Sequence, residues 1–310
     1  MDYFDLHCDT ATEIFKRREK LFENGRHVSL SKAGCLEKYA QVAAFWSDPK
    51  NGDDCFRLFV EALDYFEAEL SENGLLPVTD RRTFEKLQSE GKPAFILAIE
   101  GANLFSGDTG RLEAAYSRGI RVITPVWKGV SCIGGAFDTD VGLTPFGYGI
   151  IRRMGELNIA CDLSHASVKT ADEALSEAKK HGFPVFCSHS NSHSLCSHPR
   201  CITDGFAKRL AEAGGICGVS FVPYHLADGG VCKAEAVVSH LLRFYNIAGA
   251  DFPALGGDFD GVDLLPEGIS DISDVPAVLH LLEKHGLSDG EIEKILYLNA
   301  KRFLLSVLDK

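Results

Sequence analysis

Residues 160–189 read ACDLSHASVKTADEALSEAKKHGFPVFCSH. The stretch opens with a short apolar run, Ala160–His165, that turns polar at Asp162, Ser164 and His165. Thr170-Ala-Asp-Glu173 reads as a capping box that starts a helix running toward Lys180. A second apolar run, Val185–His189, again ends on a histidine. Strand, helix and strand in this order make one parallel unit, and its polar residues gather where the strands end. The same alternation extends in both directions. Further strand candidates are Phe4–Asp9, Val42–Ser47, Ala94–Glu100, Arg121–Trp127, Ile216–Val222 and Pro253–Asp258. Cys55–Glu72 places Phe56, Phe59, Val60, Leu63 and Phe66 at helical spacing. Asp274 with Pro276 predicts another helix that stops before Gly286, and Ser288-Asp-Gly-Glu291 a last one reaching about Leu308. Eight strands alternating with helices predict an α/β fold of the (β/α)8 TIM-like barrel type, with a doubly wound open sheet as the competing architecture. Residues 1–310 then form a single barrel domain. Its extra length lies in two segments, Lys16–Ala40 and Trp127–Thr144, both expected on the face where the strands end.

The balance of 32 Lys+Arg against 44 Asp+Glu gives a formal net charge of −12, which disfavours binding to a phosphate backbone. No apolar run reaches the ~18 residues that span a bilayer. The opening Met1-Asp2-Tyr3-Phe4-Asp5 lacks the positive region of a signal peptide, so a cytoplasmic protein is expected. The 10 cysteines are scattered and are then expected as reduced thiols. His193, Cys196, His198 and Cys201 lie close together, but their spacing does not match the common zinc fingers. They read better as a loop over the active-site face.

The strand ends carry His7-Cys8-Asp9, Glu100, Asp162 with His165, His189, and Asp258 with Asp260. In a parallel barrel all these ends share one face. His7 and Asp9, two apart on a strand, project to the same side, while Cys8 points away. Imidazoles and carboxylates together suit zinc or a similar divalent ion, and a cation removes the cost of desolvating clustered carboxylates. Of the other histidines, His27, His181, His225, His240, His280 and His285 read as surface or packing residues, with His225 close enough to the seventh strand's end to touch a substrate.

With these motifs in order, the chain resembles the renal (membrane) dipeptidase family of zinc metallopeptidases, within the amidohydrolase-like metal-dependent hydrolases. The matching segments are Asp5-Leu6-His7-Cys8-Asp9, Ile99-Glu100-Gly101, Leu143-Thr144-Pro145-Phe146-Gly147, Cys161–Ser167, Ser188-His189-Ser190, His198-Pro199-Arg200, Gly256–Gly261 and Asn299–Phe303. The resemblance implies two Zn2+ ions, with Mn2+ or Co2+ as alternatives. His7 and Asp9 would bind the first ion, His165 and His189 the second, and Glu100 would bridge them. It also implies that Arg200 contacts the substrate and Asp258 is the acid/base, with Asp260 as the nearby alternative. One departure stands out. The family's substrate-binding histidine beyond the fourth strand has no counterpart, since no histidine lies between Glu100 and His165. Trp127 and Lys128 occupy that region and are the candidate substitutes.

The implied activity is hydrolysis of a dipeptide by a hydroxide bridging the two metals. The alternatives are a related hydrolase acting on another small amide or ester, and a non-catalytic metal-binding relative. The implied partner is a small peptide substrate, with no nucleic acid and no membrane, and a homodimer is the default assembly.

Overall fold

A computed structural model describes residues 1–309. Its strands are β1 (Asp2–Cys8), β2 (Lys38–Trp46), β3 (Ala94–Glu100), β4 (Ile120–Thr124), β5 (Ala160–Asp162), β6 (Val185–Phe186), β7 (Cys217–Val219) and β8 (Pro253–Leu255). They form one sheet in the order β6-β5-β4-β3-β2-β1-β8-β7, and every pair is parallel. The seam between β6 and β7 is closed by a single parallel bridge, Cys187 to Cys217. The expected barrel is therefore the observed one, and the open sheet is excluded.

Parallel strands covered by helices are buried on both faces. β3 shows this most fully, since all of Ala94–Glu100 is buried. The helix Asp54–Glu72 packs its apolar stripe on the sheet, with Phe66 5.9 Å from Phe45 and 5.6 Å from Phe95 between ring centroids.

The later strands are shorter than the apolar runs suggest. β5, β6, β7 and β8 stop at Asp162, Phe186, Val219 and Leu255, not at His165, His189, Val222 and Asp258. Buried carboxylates supply the reason by taking over the ladder. Asp162 Oδ1 accepts the backbone N–H groups of Ser164 (3.0 Å) and Ser188 (2.8 Å). Asp5 Oδ1 accepts those of His7 (3.0 Å) and Gly257 (2.8 Å). Where a side chain satisfies these donors, the backbone is free to leave strand geometry. His165, Asp258 and Asp260 accordingly sit at φ 67°, 57° and 68°.

β4 likewise ends at Thr124 rather than Trp127, and the expected helices form with shifted starts. The helix after β5 runs Val168–His181 and is capped by Ser167, whose side chain accepts from Thr170 N. Glu173 is drawn off instead to Leu143 N (2.6 Å), fastening the long loop that follows β4. Asp274 ends a short 3-10 turn, and the helix itself is Pro276–Lys284. The Ser288 capping box is present, and its helix passes through a π turn at Lys294–Leu298 before Asn299–Leu308. Of the two long segments, Lys16–Ala40 begins within the helix Thr10–Arg17 rather than at a strand end. Trp127–Thr144 does follow a strand and is pinned down, with Phe137 N donating to His165 O at 2.7 Å. All ten cysteines are free thiols.

Two glycines let the barrel close. A Cβ on Gly218 would lie 2.0 Å from Ser188 O, and one on Gly256 would lie 1.8 Å from it. The β6 exit thus lies directly against the backbones of β7 and β8. Gly256→Ala is expected to lower stability by about 3 kcal/mol through overpacking. A fall in the urea midpoint measures this, and an unchanged midpoint would show that the seam is loose.

Candidate metal centre

Six of the residues singled out in the sequence meet at the end of the barrel. His7 Nε2 lies 3.5 Å from Asp9 Oδ2 and 3.6 Å from Glu100 Oε1. His165 Nε2 is 2.9 Å from Glu100 Oε1, and His189 Nε2 is 3.6 Å from it. Donor atoms of His7, Glu100 and His189 fall within 4.8 Å of one another, and so do those of His7, Asp9 and Asp258. His7 and Asp9 meet, though not as neighbours on one strand face. β1 ends at Cys8, and Asp9 stands at φ −89°, ψ 8° as the N-cap of Thr10–Arg17. Asp258 reaches the group because its N–H donates to His7 O (3.0 Å) and Asp9 N donates to Phe259 O (2.9 Å). The absence of a side chain at Gly261 matters here, since a Cβ would come within 2.4 Å of both Asp258 Oδ1 and Asp9 Oδ2.

Hydrogen bonds fix which imidazole nitrogens carry protons. His165 Nδ1 lies 3.0 Å from Trp127 O, so it is the protonated nitrogen and Nε2 bears the lone pair. Ser188 Oγ donates its proton to Asp162 Oδ2 (2.6 Å), so His189 Nδ1–H must donate to Ser188 Oγ (2.7 Å). His189 Nε2 then bears a lone pair too. These two Nε2 atoms are 2.9 Å apart, with the Glu100 carboxylate beside them. Burial holds both imidazoles well below their ordinary pKa, which keeps them neutral. Facing lone pairs at this distance, next to a carboxylate, repel unless a cation lies between them.

The carboxylates make the same demand. Burial raises Asp9, Glu100 and Asp258 above the usual carboxylate range. Burial also acts to depress His7, but Glu100, Asp9 and Asp258 outweigh it and hold its pKa at about 10. His7 Nε2 is buried without a hydrogen-bond partner. The neutral imidazoles of His165 and His189 and the three carboxylates, with outer partners orienting those rings, fit a divalent metal, and such an ion would take the place of the His7 proton.

Asp260 has a different task. Its Oδ2 accepts from Thr10 Oγ1 (2.7 Å) and its Oδ1 from His27 N (2.5 Å), binding the β8 exit to the segment before β2. No hydrogen bond engages the Asp258 carboxylate in this way.

A cavity of about 430 Å3 opens over the cluster, walled by Asp9, Glu100, His165 and Asp258 and by Trp46 and Trp127. Trp127 thus acts twice, through its ring on the wall and its carbonyl on His165. Lys128 is exposed and lines a separate surface cavity with Asn103 and Ser131, outside this one. Arg200 is buried beside the centre. Its Nη2 donates to His189 O (3.2 Å), and it lines a narrow cleft behind His165 rather than the main cavity wall. Sequence reasoning passed over two wall residues. Lys16 stands over the Trp46 ring at 4.5 Å, whereas in the sequence it reads only as the first residue of the long segment Lys16–Ala40. Trp46 was legible only as a strand residue.

A family model for membrane dipeptidases, peptidase family M19, matches residues 1–309. The chain belongs to this family. It is therefore a metallopeptidase and a dipeptidase-family hydrolase, and the resemblance read from the motifs is borne out. Among curated relatives, it is 32% identical over 235 residues to an uncharacterised protein of the pqqA 5′ region of Klebsiella pneumoniae, covering 72% of this chain and 85% of that one. It is 30% identical over 236 residues to an uncharacterised dipeptidase of Schizosaccharomyces pombe, covering 71% of this chain and 57% of that one. Among solved structures, it matches a metallopeptidase from Rhodobacter sphaeroides bound to a phosphinate mimic of L-Ala-D-Ala. That match has a TM-score of 0.87 and 21% identity, covering 99% of this chain and 98% of that one. No helix among the described residues is long and apolar enough to cross a membrane.

His165→Ala and His189→Ala are each expected to weaken divalent-metal binding by more than about tenfold. Metal analysis after dialysis measures the loss. Retention of the full wild-type metal content by both variants would remove these residues from the ligand set.

Proposed function

We propose that this protein is a binuclear metallodipeptidase that cleaves short peptides in the cavity above His7, Asp9, Glu100, His165 and His189. The observation that carries this reading is the convergence of two imidazole lone pairs and the Glu100 carboxylate within 3.6 Å of one another, beneath a cavity of dipeptide scale. His7 and Asp9 would hold one ion and His165 and His189 the other, with Glu100 available to both. Imidazole and carboxylate donors favour zinc, with manganese or cobalt as alternatives. Bound there, the ions supply an acidified water and a polarised amide carbonyl.

The protein's own groups handle the protons. Asp258 is the carboxylate at the centre that is not assigned to hold an ion, and burial raises its pKa above the usual carboxylate range. It accepts a proton from the attacking water and returns it to the leaving amine. Trp46 and Trp127 narrow the cavity and exclude bulk water. Arg200 lends positive charge from behind His165, which favours a substrate bearing a carboxylate. The phosphinate mimic bound by the Rhodobacter sphaeroides relative supports screening dipeptides with a D-residue at the C-terminus as well as L,L-dipeptides.

The test is turnover of a dipeptide panel by zinc-, manganese- and cobalt-loaded protein. Hydrolysis of at least one dipeptide is expected, and failure on the whole panel with every metal would overturn the reading. Asp258→Asn should lower kcat by more than about 100-fold, the scale of general acid–base catalysis, with metal content retained. Asp260→Asn should act chiefly on stability, by about 1–3 kcal/mol, because it unmakes bonds to Thr10 and His27. Full activity in Asp258→Asn would reassign the acid/base.

A further inference from the structure

His225 also walls the cavity and takes no part in the chemistry above. It lies in the turn Pro223–Leu226 just beyond β7. Its Nδ1 is buried and has no hydrogen-bond partner. A buried N–H left without an acceptor is rarer and costlier than an acceptor left without a donor. The proton therefore belongs on Nε2. With Nδ1 sealed off, the ring edge bearing Nε2 is the one that the cavity reaches.

The backbone of the turn that carries the ring is cross-braced. Cys201 Sγ donates to the carbonyl of His225 itself (3.4 Å), and Cys196 Sγ to that of Tyr224 (3.3 Å). His240 takes the N–H of Ser192 on Nδ1 (2.9 Å) and donates from Nε2 to Leu226 O (3.0 Å). The His198 ring packs on His225 with centroids 4.7 Å apart. The cysteines and histidines around residue 200 thus serve to brace the turn that carries His225. A fixed neutral donor facing a site where an amide carbonyl gains negative charge is an oxyanion-stabilising group.

We propose that His225 is a catalytic residue whose Nε2–H donates a hydrogen bond to the scissile carbonyl oxygen of the substrate. The assignment rests on the dipeptidase reading and goes beyond it by naming the donor. No bond to His225 forms or breaks. The hydrogen bond strengthens as the carbonyl oxygen becomes anionic.

The test compares metal-loaded wild type with His225→Phe, which keeps a ring of similar size, and His225→Gln, which keeps an N–H near the position of Nε2. For the best dipeptide of the panel, His225→Phe should lower kcat about 100-fold, with KM within a few-fold and metal content unchanged. His225→Gln should recover much of that loss. Affinity for a phosphinate dipeptide analogue should fall in parallel with kcat/KM. Wild-type turnover together with an unchanged kcat in His225→Phe would overturn the role of His225 alone, and so would a change confined to KM. Equal losses in the Phe and Gln variants, or loss of metal from both, would make His225 structural. A wild type that cleaves no dipeptide would overturn this proposal together with the dipeptidase reading.

Discussion

The end of the barrel is organised by a buried carboxylate that does not itself face the cavity. Asp162 accepts four hydrogen bonds, from Ser164 N, Ser188 N, Thr124 Oγ1 and Ser188 Oγ. A buried carboxylate is tolerable only when its oxygens are satisfied in this way. The bonds join the exits of β4, β5 and β6. They also claim the Ser188 proton and so determine which nitrogen of His189 faces the centre. Asp5 ties the exits of β1 and β8 in the same manner, through His7 and Gly257. The two carboxylates release the chain from strand geometry at the points where the side chains of the candidate centre turn inward.

That release has a local cost. His165 and Asp258 stand in the left-handed region, where non-glycine residues are uncommon. Such positions persist when their surroundings over-determine them, and they concentrate at functional sites. For His165 the surroundings are the Trp127 carbonyl and the Phe137 amide. For Asp258 they are the His7 carbonyl and the open space at Gly261. The long loop after β4 is therefore part of the centre's scaffold, because its backbone orients the His165 ring.

Most of the candidate centre was legible in the sequence because polar residues at strand ends interrupt apolar runs, and a parallel barrel gathers those ends. His7, Glu100, His165, His189 and Asp258 all stood out on that ground. Asp9 stood out for a reason only partly realised, since the expected strand face is replaced by the first turn of a helix. Lys128, Arg200 and His225 were the difficult residues. Each lies on a loop, where sequence position does not give direction. Lys128 turns to the surface, Arg200 lies behind His165, and His225 enters the wall.

By itself, the sequence determined the parallel (β/α)8 alternation and the family, because both are written in local periodicity and contiguous motifs. It also determined which residue types could form a metal centre. Only the tertiary structure decided where the strands end, which nitrogens bear lone pairs and which loop residues reach the cavity. Those outcomes depend on contacts such as Asp162 to Ser188 and Trp127 to His165, between groups far apart along the chain. No local pattern encodes such contacts, since their energy exists only once the barrel has closed.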